Sequence, residues 1–105
     1  MMPQSALDAR EVYQLLKDVA LGVRQMSNAG ETSWNDLYCG NALVSIDGWK
    51  LSIYNDCGEL DYCEECVSPD GRIGTFEAWS KFGIDPVELL SQWERGQLEA
   101  KLQEL

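Results

Sequence analysis

The chain contains no histidine among its 105 residues. Histidine is the usual general base near neutral pH and the commonest metal ligand, so Ser-His and Cys-His nucleophile pairs are excluded outright. Glycine-rich phosphate loops are missing too: the nine glycines are scattered singly, with no GxGxxG and no GK[ST]. Basic residues are scarce, eight Lys and Arg against eighteen Asp and Glu, leaving a formal charge of −10. That balance disfavours direct binding to nucleic acid or to an anionic membrane and points to a basic protein surface as partner. No apolar run approaches the roughly 18 residues of a membrane span, and 1–10 lacks the plan of a signal peptide. The expected location is cytoplasmic.

What is present suits one folded domain over 1–105. Hydrophobic residues make up 45% of the chain, with four tryptophans, enough for a small core. Asp8 and Glu11 form a capping box, with Leu7 and Val12 as its hydrophobic staple. Val12, Leu15, Leu16, Val19, Val23 and Met26 then recur at three- and four-residue steps, which predicts a helix from Asp8 to about Gln25, ended by 27–30. Residues 31–40 read either as a single turn capped by Ser33 and Asp36, carrying Trp34, Leu37 and Tyr38, or as the lead into a strand.

A hairpin is the clearest element. The stretches 42–46 and 49–54 flank Asp47-Gly48, a pair suited to the positive backbone angles of a type I′ turn. A two-residue loop fixes the register, so Ile46 faces Trp49, Val44 faces Leu51 and Ala42 faces Ile53, all on one side of the sheet. Residues 55–58 read as a turn, and 60–67 as a third antiparallel strand with poor alternation. Beyond the turn at 69–71, Thr75 can cap a short helix bearing Phe76, Trp79 and Phe82, with Gly83 stopping it. Asp85, Pro86 and Glu88 predict the start of one long C-terminal helix, with Ile84 and Leu89 as staple. On that helix Leu89, Trp93 and Ala100 lie on one side while Leu98, Leu102 and Leu105 lie on the other, with Gly96 between. Either the helix bends so that both sets touch the core, or the second set is an exposed strip through which a homodimer forms.

The expected architecture is therefore α+β: an N-terminal helix, an antiparallel hairpin extended to a three-stranded meander, a short helix and a C-terminal helix. Its core should join the 42–53 sheet face to the Val12–Val23 stripe and to parts of Phe76, Trp79, Leu89 and Trp93.

Two features carry candidate function. Cys57, Cys63 and Cys66 have a spacing that suggests a structural zinc site, with Cys39, Asp56 or Asp61 as the fourth ligand. Against it, Cys63-Glu64-Glu65-Cys66 lacks the Gly or Pro that shapes a knuckle, and residues three apart in a regular strand face opposite ways. Small buried thiols with no cofactor is the plainer reading. The second feature is charge: 51–72 holds six acids and one base, a net −5, whereas 1–30 is neutral. Asp56, Glu59, Asp61, Glu64 and Glu65, interleaved with Tyr62, form either a solvated surface or a negative patch that fits the basic groove of a nucleic-acid-binding protein.

The blocks NDCxxLDYCxxC and PDGR, with AREVYQLLKDVALG before them and DPVELLSQWE after, resemble a family of short uncharacterised proteins encoded in pseudomonads. The resemblance spans about Leu7 to Glu94 and transfers no activity or site residue. It implies a bacterial context in which small acidic proteins are often of phage or mobile-element origin. An inhibitor of a host defence system is the corresponding expectation, with no enzymatic activity.

Overall fold

The computed structural model describes residues 6–81 and 83–105. Helix α1 runs over Ala9–Ala20, and both bonds of its capping box are made: Glu11 N–H donates to Asp8 at 2.8 Å and Asp8 N–H to Glu11 at 3.0 Å. It ends five residues earlier than predicted. Gly22, at φ +81°, reverses the chain, and Arg24 then bridges Asp18 and Asp47 at 3.1 Å each, pinning the reversal to the tip of the hairpin. Val23 is consequently exposed, and Met26 starts a strand.

Five strands form one antiparallel meander in chain order: β1 Met26–Asn28, β2 Cys39–Ile46, β3 Trp49–Asp56, β4 Glu59–Val67 and β5 Ile73–Thr75. The β2–β3 register is the predicted one, with Asp47 and Gly48 both at positive φ. Two additional short strands, β1 and β5, flank the expected three. The second hairpin turn is Cys57-Gly58 alone, also at positive φ, so Asn55 and Asp56 belong to β3. Between β2 and the end of α1, Trp34–Asp36 forms a single 3₁₀ turn, with Trp34 buried and Tyr38 exposed.

Asn55 explains how that turn is held. It is fully buried, donates to the Trp34 and Leu37 carbonyls at 3.0 and 3.2 Å, and accepts from Gly58 N–H at 2.6 Å. One side chain thus ties the 3₁₀ turn to the second hairpin.

After β5, Thr75 caps α2 (Phe76–Ser80) through Ala78 N–H. Phe82, expected on this helix, lies outside the described residues. Trp79 is buried and donates to the Leu7 carbonyl at 3.0 Å, whereas Phe76 turns away from the core onto the other side of the sheet.

The predicted single C-terminal helix is two. Asp85 caps α3 (Pro86–Leu89) by accepting from Val87 N–H, and Glu88 stays exposed without closing a box. Leu90 is extended, and Ser91 with Glu94 then forms a fresh capping box for α4 (Gln92–Gln103). This break, and not a bend at Gly96, resets the helical phase. Leu98 and Leu102 are consequently fully buried, Leu105 packs against the same core, and Trp93 is more than half exposed. Of the two alternatives, the leucines at 98, 102 and 105 therefore touch the protein's own core and do not form an exposed strip.

α1, α3 and α4 cover one side of the sheet, where they meet Ala42, Val44, Ile46, Leu51 and Ile53. Among the described residues the opposite side carries no helix along the β2–β3 hairpin, and Leu43, Phe76 and Ile73 are exposed there. Among the described residues no helix is long and apolar enough to cross a membrane.

Candidate functional site

The site is built by an irregularity in β4. Ser52 pairs with Glu65 but Ile53 with Cys63, and Tyr54 pairs with Tyr62 but Asn55 with Leu60. Glu64 and Asp61 are therefore the extra residues of two β-bulges. Each bulge adds one residue to the step between inward positions, so Leu60, Cys63 and Cys66, three apart, all face the core. This is the physical reason for the poor alternation, and it overturns the expectation that two cysteines at that spacing point oppositely.

The outward row of β4 is Glu59, Tyr62, Glu65 and Val67, opposite Asp56, Tyr54, Ser52 and Lys50 of β3. Tyr54 and Tyr62 stack at 5.0 Å with their planes 12° apart, and Phe76 meets Tyr62 at 4.5 Å. Asp56, Glu59, Asp61, Glu64 and Glu65 are all exposed. Among the described residues none of the five makes a side-chain hydrogen bond or ion pair. The acids at 8, 11, 18, 36, 47, 70, 85 and 94 are each taken up by a cap, a serine, an arginine or a backbone N–H, whereas Glu31, Glu77, Glu88, Glu99 and Glu104, scattered over other elements, also make no such bond among the described residues. The partner-binding residues expected from sequence thus fall together on the open side and edge of β4, flanking an aromatic row. Partial burial and the carboxylates of Glu64 and Asp61 raise the Tyr62 pKa, keeping that hydroxyl protonated in its acidic setting.

The cysteines divide differently from the predicted trio. Cys63 and Cys66 are fully buried, and burial pushes their thiols up, Cys66 to about 12 and Cys63 well above its ordinary value, so both stay neutral. Cys57 does not join them. It sits exposed in the second hairpin turn with its sulfur 3.2 Å from that of exposed Cys39. A carboxylate oxygen of Asp56 lies within 4.8 Å of both, the one group of three ligand-type side chains so gathered among the described residues. Cys39, a fourth-ligand candidate in the sequence reading, is therefore the neighbour of Cys57, and the folded chain does not converge Cys57, Cys63 and Cys66 on one point.

Asp85 is the residue that sequence reasoning placed only as a helix cap. It is buried, and its Oδ1 accepts from Val87 N–H at 2.9 Å and from Cys63 N–H at 3.1 Å, closing the β4 edge beyond the reach of β5. Oδ2 is buried without a partner among the described residues. Burial lifts its pKa to about 6, with Glu88 and Asp61 adding to the rise and the two N–H donors opposing it.

The molecule is thus a small α+β domain, a five-stranded meander covered by helices on one side and acidic on the other. Residues 6–104 match a family described as a domain of unknown function, DUF7693, and the chain belongs to that family. No curated protein and no solved structure matches it.

Proposed function

We propose that the chain is a non-enzymatic protein-binding module whose open sheet side takes a basic, nucleic-acid-binding surface of a bacterial target protein. One observation carries this reading: five acids from Asp56 to Glu65 stand exposed and uncompensated beside the Tyr54–Tyr62–Phe76 row. Unpaired carboxylates around a flat aromatic surface supply the two ingredients of a protein interface, a patch that excludes water and charges that steer encounter and set register. The bulges add to the case, because Asp61 and Glu64 are extra to the strand pairing and such insertions re-aim side chains at functional surfaces. An inhibitor that displaces nucleic acid from its target, of phage or mobile-element origin, is the concrete form of this activity that the bacterial resemblance favours.

The test is affinity capture from a lysate of the native host with wild-type protein and with a variant carrying Glu59→Lys, Asp61→Lys, Glu64→Lys and Glu65→Lys together. The wild type should retain a basic protein that salt or added duplex DNA releases. The variant should lose that capture while its thermal midpoint stays nearly unchanged, since none of the four side chains holds the fold. Undiminished capture by the variant would overturn the reading.

A further inference from the structure

At the Asp56 end of the acidic patch a different pair of residues, Cys39 and Cys57, comes together. Cys39 opens β2, its directly paired residue is Asp56 of β3, and Cys57 follows Asp56 in the turn at φ +54°. The backbone of that turn is held by the buried Asn55 bonds described above, and the two sulfurs meet at 3.2 Å. Both thiols are exposed, whereas Cys63 and Cys66 are sealed in the core. A disulfide needs its two sulfurs about 2 Å apart, so from 3.2 Å the pair closes with a small side-chain adjustment.

We propose that Cys39 and Cys57 form a reversible thiol–disulfide pair that exchanges with low-molecular-weight disulfides of the glutathione type. One thiolate attacks a sulfur of the small disulfide, forming a mixed disulfide and expelling one small thiolate. The neighbouring cysteine, once deprotonated, attacks the protein sulfur of that bond and expels the second. Two electrons pass from the cysteine pair to the small disulfide, and the two thiol protons end on the two small thiols released. The Cys39 contact, partial loss of solvent around the thiol and the Asp56 carboxylate hold the Cys57 pKa above its ordinary value, with Tyr38 opposing them, so exchange should accelerate as pH rises. Closing the bond would fasten the start of β2 to the second hairpin turn, beside Asp56.

The experiment treats the reduced full chain with excess oxidised glutathione and follows intact mass and a non-reducing peptide map. The expected product has lost two hydrogens, carries one bond between Cys39 and Cys57, and returns to the starting mass with a thiol reductant. Cys39→Ser and Cys57→Ser should each stop at a stable glutathione adduct on the remaining thiol. A wild-type product carrying glutathione on both thiols without closing the bond would overturn the proposal, as would a link through Cys63 or Cys66. Zinc alone is the comparison arm: a zinc-loaded species in which both thiols resist the same excess of oxidant would make the pair a metal site and overturn it too.

Discussion

The carboxylate of Asp85 holds the backbone N–H of Cys63 at 3.1 Å, joining the start of α3 to a strand edge that β5 is too short to cover. The contact is made by one oxygen while the other is buried and unpartnered among the described residues, so the ionised form is poorly solvated.

A pH signature follows from that geometry. The folded-state pKa, about 6, lies above the ordinary value of 3.8, so folding favours the protonated form. The stabilising contribution of Asp85 is complete below the ordinary value and is lost as pH rises through the folded one. In Asp85→Asn the side-chain oxygen can keep both accepted bonds without a charge to bury. Measured by urea unfolding, wild type should gain stability relative to this variant as pH is lowered from about 7 to about 5. A difference that is flat in pH would show that Asp85 titrates as an ordinary carboxylate, and one of opposite slope that folding favours its ionised form; either would contradict the raised pKa.

Gly74 separates close packing from mere backbone preference. A Cβ there would lie 2.5 Å from the Trp79 ring and 2.9 Å from the Leu7 carbonyl that Trp79 holds. Gly74→Ala should therefore cost about 1–3 kcal/mol or more through overpacking. Gly96→Ala, in open space on α4, should instead stabilise by roughly 0.5–1 kcal/mol. Thermal midpoints of the two variants should move in opposite directions; an unchanged or raised midpoint for Gly74→Ala would contradict the packing described there, and a lowered one for Gly96→Ala the open space on α4.

The leucines of α4 give a third outcome. Leu98→Ala and Leu102→Ala should each lower stability by about 2–5 kcal/mol, as core truncations do. Denaturation combined with light scattering distinguishes this from a surface role, in which stability would hold and only the solution mass would change.

Much of the fold was readable where local chemistry and periodicity agree. The Asp8–Glu11 box, the Asp47-Gly48 turn and the alternating apolar faces of β2 and β3 each point to one structure by two independent signals. The errors share a cause. Val23 and Met26 continued the helical spacing past Gly22, and the apolar pattern after Asp85 ran through Leu90, so periodicity outweighed the signals that end elements. Ser91-x-x-Glu94 had the same capping-box form as Asp8-x-x-Glu11 and could have located the break. The acidic run was legible as composition, and the structure gathers it. The Cys39–Cys57 contact was not legible, because it depends on the joint register of two hairpins across 18 positions.

The two bulges leave β4 with a repeat of three, between the period of a strand and that of a helix. Its conformation is thus a property of its neighbours: β3 on one edge, with β5 and the Asp85 carboxylate on the other, impose extension on a sequence that does not specify it alone. The same arrangement separates two constraints along one strand. Leu60, Cys63 and Cys66 answer to the core, while Asp61 and Glu64 stand outside the pairing and all four acids from Glu59 to Glu65 point to solvent, so the outward charges can be changed without rewriting the interior.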